Sequence, residues 1–292
     1  MAKLTRKLWV GIGVASLAGA ASMPRHVAAQ DVDHKAHGAP PAAQNDGPNP
    51  NAVDANSGPN SDPSSGEGGE AYLTDGGPRD TRIRFYRDIE LTRGHLLVGQ
   101  ELIDMDLWDE ALPHFLHPSE ELYGLMEKYI KLHNMQPFGR ELQVLAQTVK
   151  AKRKGAYEQA LKPVHQRVGA ALQAAKRFMR PERKFAIQSA VEVLRTAQSE
   201  YEGAMQNGAF TKPVEYQDSR GFVWRAERVI EEAAKAGPKP LDADSLAKVR
   251  DTFARLKAAW PAPLPPPKPL LEVGQISALI SEIELYTSPI TR

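Results

Sequence analysis

The stretch LTRGHLLVGQELIDM, residues 91–105, spaces its apolar side chains as an α-helix does. Leu91, Val98 and Leu102 fall on one helical stripe that would face a core, and His95 falls on the same stripe. Beyond residue 80 no segment keeps the two-residue alternation of a half-buried strand for long. The sequence therefore predicts an all-α fold, whose first helix covers about residues 82–105.

The rest of the fold follows from the same periodicity and from boundary residues. We predict a short helix ending at His117, a helix beginning at Pro118, and a long helix over residues 140–178 with a kink at Pro163. Four more helical segments are predicted over residues 180–208, 212–237, 241–260 and 272–286. The predicted domain, residues 80–292, is a helical bundle of six or seven helices, forming one unit or two packed bundles.

The first 30 residues have the organisation of a secretory signal peptide. Lys3, Arg6 and Lys7 precede an apolar run of about fifteen residues, and the small residues of HVAAQ follow as a cleavage region. Residues 31–79 are rich in Gly, Pro, Asn and Ser and hold too little apolar surface to offset the entropy of ordering, which predicts a disordered linker. We expect a periplasmic or secreted protein without a transmembrane segment in its mature chain.

Composition excludes several classes of function. The chain has no cysteine, so it has no disulfides, zinc–thiolate sites or iron–sulfur clusters. Its formal charge is +1, and removal of the basic signal peptide leaves a weakly acidic chain without a basic stripe, so nucleic acid is not an expected partner. The motifs of zincin peptidases, serine hydrolases and P-loop proteins do not occur. The sequence favours a non-catalytic protein.

The stretch ALPHFLHPSEELYG, residues 111–124, places two histidines three residues apart and follows them with two glutamates. On one continuous helix, His114, His117 and Glu121 would share a face. Pro118 instead predicts a corner, at which the histidines end one helix while Glu120 and Glu121 begin the next. Both arrangements bring imidazole and carboxylate together, as a metal ion requires. The alternative is a polar helix boundary favoured by the helix dipole.

His95 is the next candidate ligand, because a buried histidine needs partners for both ring nitrogens and metal ligation supplies one. It follows Gly94, and Gly99 lies about one turn further on, so another helix could approach closely there. Glu101 lies on a neighbouring face of the same helix.

The segment EYQDSRGFVWRA, residues 215–226, adds carboxylates in front of a hydrophobic run. Helical bundles build metal sites from side chains on facing helices, although a capping cluster would have the same composition. The candidate metal ligands are therefore His95, Glu101, His114, His117, Glu120, Glu121, Glu215 and Asp218.

The stretch FLHPSEELYGL, residues 115–125, resembles the HxxE signature of imelysin-like proteins, which are secreted helical proteins linked to iron uptake. The matching pair is His117 and Glu120. Phe115 stands where that family usually has glycine, and Pro118 is unusual there. The resemblance implies two helical bundles with a metal site, and iron as the favoured ion, while zinc, copper and manganese suit the same donors.

The stretch LLVGQELIDMDLWDEALPHF, residues 96–115, resembles one helix pair of a tetratricopeptide array, of which about three are needed for a stable solenoid. The wider block also looks like an uncharacterised family of secreted bacterial proteins.

Two functions follow. The first is a periplasmic metal-binding protein for uptake, delivery or sensing, with another periplasmic or membrane-associated protein as partner. The second is a helical protein-interaction module without a metal.

Overall fold

The apolar stripe of residues 91–102 is buried along the first helix of the computed structural model, which describes residues 77–292. This helix, α1 (Thr81–Asp104), begins where the carboxylate of Asp80 accepts a hydrogen bond from the backbone N–H of Arg82 at 2.9 Å. The predicted signal peptide, and the predicted linker except its last three residues, lie outside the described residues.

The remaining elements confirm the predicted all-α fold. In chain order they are α2 (Trp108–Ala111), α3 (Pro113–His117), a π-helical turn (Pro118–Leu122), α4 (Tyr123–Leu132), α5 (Gly139–Lys150), α6 (Lys154–Lys176), α7 (Glu182–Gly203), β1 (Met205–Gln206), β2 (Ala209–Phe210), α8 (Pro213–Lys235), α9 (Ala243–Lys257) and α10 (Val273–Thr291). The two short strands pair as an antiparallel hairpin. Eight of the helices in residues 77–292 have ten residues or more, beside the six or seven given for the predicted bundle.

The packing places α1 in the centre of the fold. Helices α7 and α8 share the largest interface, α9 and α10 pack onto them, and α1 lies against both α7 and α8. On its other side α1 contacts α2, α3 and α6, and α5 packs between α3 and α6. Among residues 77–292, no helix combines the length and the apolar character needed to cross a membrane.

The prediction of one long helix over residues 140–178 was wrong. Helix α5 ends at Lys150 because Lys152 adopts a φ of 52°, and the backbone N–H of Arg153 donates to the carbonyl of Thr148 at 3.2 Å. The break lies in KAKRK, residues 150–154, where four cationic side chains repel one another. Pro163, the predicted kink, lies inside α6.

The predicted corner at Pro118 was also wrong. Pro118 keeps helical dihedral angles, φ −57° and ψ −34°, so residues 113–132 form one helical run. Proline lacks an N–H donor and its ring crowds the carbonyl one turn earlier. The π-helical turn, in which the N–H of Tyr123 donates to the carbonyl of Pro118, is the local widening that accommodates it. The histidines and the glutamates therefore project from the same run.

Two glycines on α1 allow other helices to approach closely, as the sequence predicts. A Cβ on Gly221 of α8 would lie 2.4 Å from the carbonyl oxygen of Gly94, so the two backbones touch there. A Cβ on Gly99 would lie 2.7 Å from Cε2 of Phe115 in α3. These contacts bring α8 and α3 against the segment of α1 that carries His95.

This contact predicts that Gly221→Ala destabilises the protein. The new methyl group would meet backbone atoms of α1 that cannot rotate away, so we expect the free energy of unfolding to fall by about 2–3 kcal/mol. Urea denaturation of the purified protein measures this change.

The control is Gly169→Ala in α6, where an added Cβ meets no atom within 4 Å. There we expect stabilisation of about 0.5–1 kcal/mol, because alanine is the better helix former. If Gly221→Ala were as stable as this control, the close contact would not exist.

Candidate metal centre

Three histidines converge on one carboxylate, that of Asp218 in α8. The Nδ1 atom of His95 lies 2.6 Å from Oδ1 of Asp218, and Nδ1 of His114 lies 2.7 Å from the same oxygen. The Nδ1 atom of His117 lies 3.2 Å from Oδ2. Each ring thus presents the same nitrogen to the carboxylate. Donor atoms of His95, His114 and Asp218 all lie within 4.8 Å of one another, which is close enough to share one ion.

The cluster is buried on one side and reaches solvent on the other. His95, His114 and Asp218 are buried. The side chain of His117 is 12% exposed and that of Glu121 is 32% exposed, and Nε2 of His117 lies 3.9 Å from Oε1 of Glu121. An ion would therefore reach the buried donors from the side of His117 and Glu121.

The Nδ1 atom of His95 has no hydrogen-bond partner among the described residues. It lies 2.6 Å from Oδ1 of Asp218, but this contact does not meet the full geometric requirements of a hydrogen bond. Leaving a buried polar atom unpaired costs about 1–3 kcal/mol. The ring of Phe222 packs edge-on against His95, with centroids 4.9 Å apart, and restrains its orientation. A metal ion on this nitrogen would satisfy it.

Gln217 orients the ring of His114. Nε2 of His114 lies 2.8 Å from Oε1 of Gln217, so one turn of α8 holds both nitrogens of this ring. When Nε2–H donates to the amide oxygen, Nδ1 is the nitrogen presented to a metal, and metal-bound histidines commonly have such an acceptor behind them. Sequence reasoning missed Gln217, whose only signal in the sequence is its position next to Asp218.

Burial and the neighbouring imidazoles shift the pKa of Asp218 in opposite directions. Burial alone would raise the pKa of Asp218, but its electrostatic interactions with the imidazoles of His95 and His114, with hydrogen bonds from His114 and His117, hold that pKa well below its usual value. Burial lowers the pKa of His95 despite the nearby carboxylate. At neutral pH the cluster therefore contains an ionised aspartate beside a neutral His95, which are the protonation states that bind metal.

The structure does not bring the remaining glutamates to the cluster, apart from Glu121 at its edge. Glu101 accepts two hydrogen bonds from Arg220, at 2.8 Å and 3.2 Å. Glu215 is buried and pairs with Lys212 at 2.9 Å. Glu120 is exposed.

The donor set limits which ions the cluster can hold. Three imidazole nitrogens and a carboxylate suit iron, zinc, copper or manganese. Magnesium and calcium prefer shells made of oxygen, and the cluster offers too few oxygens for them. The donors come from α1, α3 and α8, so a bound ion would connect three separate elements.

Comparison with known families adds a link to iron. Residues 177–291 match the family model of the iron permease-associated 4-helix bundle domain. The matched segment contains α7, α8, α9 and α10, and it includes Asp218 and Gln217, whereas the three histidines precede it. No curated protein and no solved structure gives a significant match. The match indicates a helical, iron-related family, and this family differs from the imelysin-like one that residues 115–125 resemble.

Proposed function

We propose that this protein binds an iron ion in the periplasm, or outside the cell, and delivers it to an iron permease in the membrane. The proposed ligands are His95, His114, His117 and Asp218. The observation that carries the proposal is the convergence of three Nδ1 atoms on one buried carboxylate, with one of those nitrogens lacking any hydrogen-bond partner among the described residues.

Iron is favoured over the other ions by the similarity of α7–α10 to the iron permease-associated domain. The donors alone suit several first-row metals, so geometry and family evidence are both needed. A permease is the natural recipient, because a domain associated with iron permeases would work beside one.

The graded exposure of the donors suits transfer of an ion. Glu121 and His117 lie at the open edge, and the other three donors lie behind them. An ion could bind first to the edge residues and then gain the buried ligands, and it would leave in reverse order. Because the ligands come from three elements, binding should also stabilise the fold, by about 2.7 kcal/mol when free iron is at one hundred times the dissociation constant.

Removing proposed ligands should abolish tight binding. We expect metal-free wild-type protein, titrated with Fe(II) under anaerobic conditions in a calorimeter, to bind one ion. Asp218→Asn keeps the shape of the side chain but removes its charge, and His117→Ala removes one nitrogen, so each should weaken binding by at least about 100-fold.

Glu120→Gln and His165→Ala provide matched controls, because both side chains are exposed and neither belongs to the cluster. Both should bind Fe(II) as the wild type does. Absence of binding by wild-type protein, or wild-type affinity in Asp218→Asn, would contradict the proposal.

A second prediction concerns Gln217 as the acceptor that orients His114. Gln217→Leu should weaken Fe(II) binding by about 10–100-fold, whereas Gln217→Glu should retain binding because it keeps an acceptor oxygen at the same position. Circular dichroism of both variants checks that they fold. Equal losses of affinity in the two variants would show that an acceptor oxygen at position 217 does not support metal binding by His114.

Acidification should also weaken binding, because a protonated imidazole cannot ligate. Burial lowers the pKa of His95, so this ring stays neutral to a lower pH than an ordinary histidine, and Asp218 stays ionised because its pKa is well below the usual value. Affinity should therefore be near its maximum at pH 7.5 and should fall as the histidines protonate, by up to about tenfold per pH unit for each proton that iron must displace.

Titrations between pH 7.5 and pH 5 measure this dependence. In His117→Ala, where one titrating ligand is missing, the slope should be shallower by one proton. An affinity independent of pH over this range would exclude histidine ligation.

A further inference from the structure

We infer that a second site, at the start of α1, binds a small organic anion of the aryl carboxylate class. A cavity of about 540 Å³ lies between the first two turns of α1, helix α4 and the residues that follow α6. Its volume is within the range that small-molecule sites occupy. The site is separate from the metal-binding cluster and does not depend on the proposed function.

The described lining of this cavity is strongly cationic. Arg84, Arg87 and Lys128 line it, and Asp88 is the one carboxylate among the lining residues. Asp88 pairs with Arg87. Arg84 and Lys128 form no close ion pair with any residue in 77–292, so the lining carries more positive than negative charge.

Arg87 supplies the specific feature of a binding site. Its side chain is only 1% exposed, and its Nε and Nη2 atoms both lie 2.8 Å from Oδ1 of Asp88. Its Nη1 atom is buried and has no hydrogen-bond partner among the described residues, and the same holds for the hydroxyl of Tyr129, also in the lining. Two unsatisfied donors at one cavity require acceptors. Because Asp88 already occupies Nε and Nη2 of Arg87, Nη1 and the hydroxyl of Tyr129 are the two groups that could donate to the oxygens of a carboxylate.

The other wall of the cavity is aromatic and apolar. Phe85 stacks on Tyr129, Tyr129 on His133, and His133 on Phe178, each pair with ring centroids 4.2 Å apart. This row lines the cavity together with two exposed leucines of α4. A row of rings favours a flat, apolar ligand body, because aromatic faces and edges pack best against another ring. The cationic wall and the aromatic wall together select an anion with an aromatic body.

The cavity and the metal cluster share no residue. Asp88 is the lining residue of α1 that lies closest in sequence to His95, and seven residues separate them, which is about 10 Å along a helix. Binding of an anion can therefore be measured without involving the histidine ligands.

The test uses three probes on the purified, metal-free protein in isothermal titration calorimetry. They are 1-naphthoate, the uncharged 1-naphthamide, and inorganic phosphate. One molecule of naphthoate should bind, at least about tenfold more tightly than the amide, because the charged hydrogen bonds to Arg87 are lost in the amide. Phosphate, which lacks the aromatic body, should bind at least about tenfold more weakly than naphthoate.

Variants locate the binding. Arg84→Ala/Lys128→Ala, which leaves the buried Arg87–Asp88 pair intact, should weaken naphthoate binding at least about tenfold. Lys154→Ala/Lys162→Ala removes the same charge from exposed positions of α6 and should leave binding unchanged.

The metal-ligand variant His114→Ala/His117→Ala should bind naphthoate as the wild type does. Loss of binding in that variant, with circular dichroism showing that it is folded, would place the carboxylate at the histidine cluster and overturn the inference. Four other results would also overturn the inference. The first two are no binding of naphthoate by wild-type protein and equal affinity for naphthoate and naphthamide. The others are phosphate binding as tight as naphthoate binding, and equal weakening of naphthoate binding in Arg84→Ala/Lys128→Ala and Lys154→Ala/Lys162→Ala.

Discussion

The backbone contact between Gly94 and Gly221 sets the separation of α1 and α8, and the candidate metal-binding cluster depends on that separation. His95 follows Gly94 in sequence, and Asp218 lies one turn before Gly221, so the positions that must be glycine are adjacent to two proposed ligands. The distance of 2.6 Å between His95 on α1 and Asp218 on α8 requires the two helices to lie this close. Steric requirements of the backbone and chemical requirements of the site are therefore met by the same few residues.

Ion pairs on the same interface fix the register of α1 against α8. Glu90 and Arg225 are both buried and lie 2.7 Å apart, while Glu101 pairs with Arg220 at 2.8 Å further along α1. On α1, His95 lies between Glu90 and Glu101. Sliding one helix along the other would leave the buried charges of Glu90 and Arg225 without partners, which costs about 3–5 kcal/mol, and would also break the partly exposed Glu101–Arg220 pair at a smaller cost. Such pairs add little net stability, but they destabilise every alternative register of the two helices. Only the observed register brings His95 next to the carboxylate of Asp218.

Local patterns predicted the elements and most of the cluster, but not its long-range partners. Helical periodicity predicted α1 and put His95 on its buried stripe. His114, His117 and Asp218 were candidate ligands because imidazole and carboxylate groups bind metal ions. Periodicity did not predict that Lys152 adopts a left-handed backbone conformation, or that a π-helical turn accommodates Pro118 within a continuous helical run. Glu101 has the chemistry of a ligand as much as Asp218 does. Its role follows from Arg220, which is 119 residues away, and such distant pairings depend on how the helices pack.

The division of the cluster between two parts of the chain bears on how an ion could be released. The segment that matches the iron permease-associated domain contributes Asp218 and its neighbour Gln217, but the imidazole ligands come from α1 and α3. That segment supplies one carboxylate of the cluster, so tight binding requires the N-terminal helices to stay docked on it. Of these, α3 forms the first five residues of the helical run over residues 113–132 and carries both His114 and His117. Displacement of this run would move His114 and His117 together and would leave an ion at the proposed site with His95 and Asp218 alone.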